Sequence, residues 1–269
     1  MTTATPVTLS APAKLTLSLR VTGRRSDGYH LLDAEMVAVD LADSLTFGPG
    51  EGLTVVDELP GTAGIACVAS GPDNLVVRAL TLLDRRAAVR LVKRIPAGAG
   101  LGGGSADAAA VLRWAGVDDP ALAVRLGADV SFCVRGGRAR VTGVGEKIEP
   151  LPFEARRFVL LLPPLSVSTA AVYRAWDENP SSLSAEAAGD GNDLEEAALA
   201  VAPGLARWRD RLADVSGQRP RLAGSGSTWF VEGDPAEREL KGREFLDLDG
   251  ERAALRMVGT IPPFPHESA

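Results

Sequence analysis

The 269-residue chain has little that a metal centre or a disulfide framework could be made from. Its two cysteines, Cys67 and Cys133, lie far apart with no CxxC spacing, which excludes a disulfide framework and argues against a zinc site built on cysteine. Its two histidines, His30 and His266, exclude a multi-histidine metal centre. Basic residues are outnumbered, 29 Lys+Arg against 35 Asp+Glu, so the net charge of −6 lacks the basic surface that a phosphodiester backbone would want. No apolar run approaches a membrane-spanning length, and residues 1 to 6 carry no apolar signal-like segment. These absences predict a reduced, cytoplasmic protein with no nucleic-acid or membrane partner.

The composition otherwise is that of a globular protein, with 45% hydrophobic and 24% charged residues. From Val7 to Val21 every second residue is apolar, which predicts one or two half-buried strands, with Pro12 demanding a break or an edge. Short strands are predicted at 43–47, 53–56, 88–93, 130–134 and 158–162. Helices are predicted from Asp73-Asn74 to about Arg86, from Ser105 to Ala115, up to Leu126, and from Ser168 to Trp176. Pro180 to Asp193 reads as a mobile loop, Arg221 to Phe230 as strand, glycine turn, strand, and Pro235 to Gly242 as a charged helix. The mixture is α+β, and a shift in composition near Pro150–Pro152 predicts a boundary between residues 1–152 and 153–269.

The strongest local signal is IPAGAGLGGGSADAAA, Ile95 to Ala110, with five glycines between Gly98 and Gly104. A strand leads in and a helix leads out. Such a loop brings backbone N–H groups close to a ligand and ends on the positive pole of a helix, a site for phosphate. Gly98, Gly100 and Gly103 fit GxGxxG, but no strand ending in an acid follows at the required distance. The Walker spacing also fits from Gly98 to Ser105, except that Gly104 stands where the lysine belongs. A flexible glycine linker is the remaining alternative.

PAGAGLGGGSADAA resembles the ATP-binding loop of the GHMP kinase superfamily, which phosphorylates small alcohols. Within it the loop is most similar to the branch that acts on 4-diphosphocytidyl-2-C-methyl-D-erythritol. PAKLTLSLRVTGRRSDGYH (Pro12 to His30), LGADVSFCVRGG (Leu126 to Gly137), GVGEKIEPL (Gly143 to Leu151) and LAGSGST (Leu222 to Thr228) resemble further motifs of that branch, in family order.

The resemblance implies a two-lobed fold, an N-terminal ATP-binding lobe and a C-terminal ferredoxin-like lobe, with ATP and Mg²⁺ as cofactors and a cytidyl diphosphate as the small-molecule partner. It implies a monomer or weak homodimer. Pro96, Ala97, Gly98, Ala99, Gly100, Leu101, Gly102, Gly103, Gly104 and Ser105 would hold the nucleotide. Lys14, a solvent-facing lysine by strand pattern alone, would stabilise charge on the phosphoryl group or lower the acceptor alcohol's pKa. Asp129, a turn or capping aspartate by pattern alone, would take the alcohol's proton. Ser105, an N-cap serine by pattern, would also offer its hydroxyl near the ATP phosphates or Mg²⁺. Tyr29 and Tyr173 would sandwich the cytosine ring, His30 would read its edge, and Thr16 and Gly224 would touch the substrate. Thr16 departs from the family's usual Asn, and the segment from Trp114 to Leu126 is shorter than the family's. Ser131, Phe132 and Cys133 also depart, standing where the family often has proline and other apolar residues. Another GHMP kinase of homoserine or mevalonate type, a non-enzymatic relative that binds a ligand, and a dinucleotide-dependent oxidoreductase stay as alternatives.

Overall fold

A computed structural model describes residues 5–59, 68–179, 191–233, 240 and 242–265. The first sheet is formed by β1 (Val7–Arg24), β2 (His30–Gly48), β3 (Gly52–Asp57), β4 (Ala88–Lys93), β5 (Arg138–Gly143) and β6 (Lys147–Leu151). Its order is β3-β4-β2-β5-β6, with β1 paired to β2, and only β3 and β4 run parallel. The second sheet holds β7 (Arg157–Leu162), β8 (Arg221–Leu222), β9 (Trp229–Glu232), β10 (Phe245–Leu248) and β11 (Glu251–Gly259), in the order β10-β11-β7-β9-β8. Counted as first to fourth, β7, β8, β9 and β11 lie in the antiparallel 4-1-3-2 order of a ferredoxin-like sheet, with β10 added at the edge.

Seven helices lie among the described residues: α1 (Leu75–Leu82), α2 (Gly103–Trp114), α3 (Pro120–Leu126), α4 (Val130–Arg135), α5 (Thr169–Glu178), α6 (Glu195–Val201) and α7 (Gly204–Ser216). None is long and apolar enough to cross a membrane. Asn74 caps α1 by accepting from the Val76 N–H at 2.9 Å, as its position before an apolar run predicts, and Asp119 caps α3 and Ser168 caps α5. The predicted charged helix at 235–242 lies largely outside the described residues, as does most of the expected loop at 180–193. Helices α6 and α7 were not predicted.

The predicted strand at 130–134 is a helix. Val130, Phe132, Cys133 and Val134 are all buried, because α4 is a short helix packed on α2, α3 and β1. A helix buried on every side has no polar stripe, so its apolar run has the same look as a buried strand.

Two bulges in β1 decide which side chains reach the site. The pairing of β1 with β2 shifts register between Pro12 and Lys14 and again between Thr16 and Ser18. Pro12 thus produces a bulge inside one continuous strand. Ala11, Leu19 and Val21 join the core beneath the helices, whereas Ala13, Leu15 and Leu17 join a second core. That second core also contains Phe158, Leu160, Phe230 and Ala254, so it joins the two sheets. An odd-numbered residue therefore changes face twice along the strand. Between the bulges the even-numbered Lys14 and Thr16 are turned inward, and they are 6% and 2% exposed.

Candidate active site

The glycine loop is fixed at its apolar positions and open at its glycines. Ala99 and Leu101 are buried in the core shared by the two sheets. The Leu101 carbonyl accepts from the Lys14 backbone N–H at 3.0 Å, and the Ala99 carbonyl from the Thr228 N–H at 3.2 Å. The loop is thus tied to β1 on one side and to the Gly224–Thr228 turn on the other. Gly100 makes this docking possible: at φ +77° a side chain would be strained, and a Cβ would collide with the Ala223 carbonyl.

Helix α2 begins at Gly103, two residues before the predicted start. Gly102 holds the N-cap position at φ +67°, and no side chain caps the helix. Ser105 is therefore the third helical residue, and its expected capping role is not borne out. Since an N-terminal turn has no internal partners for its first N–H groups, the absence of a capping side chain leaves those of α2 available to an anion.

A cleft of about 560 Å³ opens over this loop. Lys14, Asp129, Tyr173, Gly224 and every loop residue from Pro96 to Ser105 except Leu101 line it. Leu101 instead faces the core. Lys14 Nζ lies 3.3 Å from Asp129 Oδ2 and donates to Thr16 Oγ1 at 3.1 Å. The lysine is enclosed while the carboxylate is partly open, 7% against 29% side-chain exposure. Asp129 immediately precedes α4 and makes no side-chain cap to it, so its carboxylate is left for the cleft. A Cβ on Gly224 would come within 3.3 Å of Lys14 Nζ and 3.8 Å of Thr16 Oγ1, so the third glycine motif closes on the same ammonium. The pattern-only reading of Lys14 as solvent-facing is overturned, and the cause is the pair of bulges.

The aromatic residues are arranged differently from expectation. Tyr173 stacks on His30, with ring centroids 4.6 Å apart and planes at 22°. Tyr29 is 64% exposed, with its ring beside the Arg25 guanidinium. The two tyrosines are therefore not paired with each other in the structure, and Tyr29 and His30 do not line the cleft. His30 Nε2 lies 2.7 Å from Asp177 Oδ1, on the same helix as Tyr173. Burial is the main cause that raises the Tyr173 hydroxyl above its ordinary pKa, so it remains protonated.

The family description "GHMP kinases N terminal domain" matches residues 74–137. The 4-diphosphocytidyl-2-C-methyl-D-erythritol kinase of Paracoccus denitrificans is 42% identical over 94% of this chain and 92% of its own length. The Cereibacter sphaeroides protein of the same name is 41% identical over 94% of each. The chain belongs to the 4-diphosphocytidyl-2-C-methyl-D-erythritol kinase family. A crystal structure of 4-(cytidine 5'-diphospho)-2C-methyl-D-erythritol kinase superposes with a TM-score of 0.68 at 35% identity, covering 94% of this chain and 99% of its own. Mevalonate kinase from L. major, at 14% identity and a TM-score of 0.60, shares the fold. The kinase is thus a two-lobed α+β protein of GHMP type, and the oxidoreductase alternative falls.

Sequence reasoning missed a set of charged residues in this kinase. Lys93, the last residue of β4, is 2% exposed and pairs with Asp43 and, at 2.7 Å, with Asp107. Burial pulls the Lys93 ammonium toward neutrality, but the two carboxylates outweigh it and its pKa is raised. Burial pushes the Asp107 carboxyl up, Lys93 pulls it down and Asp43 pushes it up again, to about 7. An aspartate among four alanines, Ala106 and Ala108 to Ala110, at the start of α2 was the available signal. The Asn192 amide donates to the carbonyls of Leu222 at 3.0 Å and Gly224 at 2.6 Å, which ties the third glycine motif to the segment beside Leu19.

Gly102 is the point at which the loop backbone meets the Lys14 side chain. A Cβ there would approach Lys14 Cγ to 2.8 Å and Cε to 3.3 Å. Gly102→Ala is expected to cost about 1–3 kcal/mol of stability through its left-handed backbone. By displacing Lys14 it is expected to lower kcat at least about tenfold. Urea unfolding and steady-state kinetics separate the two effects. An unchanged kcat would show that the position of Lys14 does not matter.

Proposed function

We propose that this kinase transfers the γ-phosphoryl group of ATP to the 2-hydroxyl of 4-diphosphocytidyl-2-C-methyl-D-erythritol, a step of non-mevalonate isoprenoid precursor biosynthesis. The observation that carries the reading is the meeting of Lys14 and Asp129 at 3.3 Å in the cleft that the glycine loop lines. Residues from Pro96 to Ser105 hold the triphosphate, with backbone N–H groups and the α2 N-terminus facing its negative charge. The more open carboxylate of Asp129 accepts the proton of the acceptor hydroxyl. Lys14, enclosed behind it and held by Thr16, keeps that carboxylate oriented and places positive charge where the transferring phosphoryl group builds negative charge. Gly224 lets the substrate side of the cleft approach the same ammonium.

Mg²⁺ is the proposed companion of the nucleotide, a hard cation suited to phosphate oxygens. Among the described residues no cluster of three or more His, Cys, Asp or Glu forms a cage for it, so the nucleotide's phosphate oxygens would supply its ligands. Tyr173 offers the cytosine the flat face on which His30 now stacks, and Tyr29 is exposed enough to swing onto the base's other side. Displaced from that face, His30 reads the base edge. Residues 1–152 form the ATP-binding part and 153–269 the substrate-closing part. The passage from the first sheet to the second between Leu151 and Arg157 supports this division. The kinase works in the cytoplasm as a monomer or weak homodimer, without nucleic-acid or membrane partners.

A coupled ADP-release assay tests the reading. Turnover is expected with the cytidyl substrate, is expected to be inhibited by CMP, and is expected to be absent with mevalonate or homoserine. Turnover with either of the last two, or none with the first, would overturn the assignment. ADP release with no acceptor at all would point to bare hydrolysis.

A further inference from the structure

Three charges lie beneath the glycine loop with no part in the chemistry described so far. A Cβ on Gly103 would come within 3.3 Å of Lys93 Nζ, so this ammonium sits directly under the first residue of α2. Lys93 and Asp107 both reach the wall of the cleft. Asp43 is fully engaged. Its Oδ1 accepts from the backbone N–H groups of Arg94 and, at 2.8 Å, Ile95, and its Oδ2 takes Lys93. Asp107 is not fully engaged. Its Oδ2 accepts from Lys93 at 2.7 Å, but its Oδ1 is buried without a hydrogen-bond partner among the described residues. A buried carboxylate oxygen without a donor penalises the charged form of the acid and favours the protonated one.

We propose that Asp107 is a proton-linked positioning residue of the nucleotide site: it takes up a proton as nucleotide binds, and the Asp43–Lys93–Asp107 trio beneath the loop passes from net negative to neutral. The proposal rests on the reading of this cleft as the nucleotide site. Two carboxylates and one ammonium carry a surplus negative charge, which opposes a triphosphate arriving above Gly103. Protonation of Asp107 removes the surplus and leaves Lys93 offset by one carboxylate alone. The linkage is reciprocal, since the phosphate charge in turn favours the proton on Asp107. The groups that act on Asp107 from neighbouring elements are Lys93 on β4 and Asp43 on β2, with the buried neutral thiol of Cys133 on α4. The other charged residues lining the cleft are Lys14, Asp73 and Asp129. Burial places the carboxyl's titration near neutrality, where such a proton is available.

The experiment is calorimetric titration of wild type and Asp107→Asn with a non-hydrolysable ATP analogue and Mg²⁺ at pH 8, in two buffers of different ionisation enthalpy. Wild type is expected to take up a fraction of a proton beyond that of Asp107→Asn, which keeps the shape but cannot titrate. From pH 7 to pH 9 wild-type affinity is expected to fall roughly fivefold more than that of the variant, for a one-unit rise on binding. A purely structural Asp107 would give equal proton counts and parallel pH profiles, and that result would overturn the proposal. Should Asp107→Asn fail to fold, the infrared difference spectrum of wild type decides. A protonated-carboxyl band that appears with nucleotide supports the proposal, and its absence overturns it. Failure of the analogue to bind at either pH would overturn the nucleotide reading itself, and this proposal with it.

Discussion

Asp129→Asn is expected to lower kcat by about 10²–10⁴-fold, the usual worth of a positioned general base. The amide keeps the shape and the contact to Lys14 but cannot accept a proton. Lys14→Ala is expected to lower kcat by about 10²–10³-fold, the range for removing one electrostatic stabiliser. In the proposed reading both residues serve the acceptor hydroxyl, whereas backbone at Pro96 to Ser105 would hold the triphosphate. The dissociation constant for ATP should therefore stay within about threefold in each variant, so the loss falls on the transition state rather than on binding. The pair touches at 3.3 Å and acts as a unit. The double variant should accordingly be no slower than about the worse single, instead of the product of the two losses. Single-turnover rates and equilibrium nucleotide binding check this. Near-wild-type turnover in either single variant would remove that residue from the mechanism.

How far the sequence could be read depended on what each residue type signals by itself. The glycine loop was legible because five glycines between a strand and a helix have few other uses, and Asn74 announced α1 by its capping chemistry. The start of α2 was misread because Ser105 has the look of an N-cap, while the true cap position is a left-handed glycine with no side chain to advertise it. Strand periodicity placed Lys14 on the wrong face, since a period of two assumes an unbroken register and β1 is bulged on both sides of Lys14 and Thr16. Only the family resemblance brought Lys14 into the cleft, where the structure places it. Helix α4 was taken for a strand because burial on all sides erases the polar stripe. The Tyr173–His30 stack and the His30–Asp177 pair depend on a contact across some 140 residues of chain, which no local pattern encodes.

The Lys93 trio carries the other large expected effect. Lys93→Met keeps the length and the apolar stem but removes the charge, leaving Asp43 and Asp107 as two buried carboxylates facing each other. Breaking a buried ion pair from one side costs about 3–5 kcal/mol. That loss should depend on pH with a definite sign. Asp107 already has a folded-state pKa above its ordinary value of 3.8, so the folded protein binds the proton more tightly than the unfolded chain. Stability then falls as pH rises through the window from about 4 to about 7. Without Lys93, whose influence on Asp107 is downward, that window extends further upward. The deficit of the variant should therefore be largest at pH 8 and shrink at pH 5.5, where the carboxyls can be neutral. Urea unfolding of both proteins at the two pH values measures it. Equal deficits would mean that the ammonium is held by packing and that the two carboxylates do not feel its charge. In that case the cradle above would rest on shape alone.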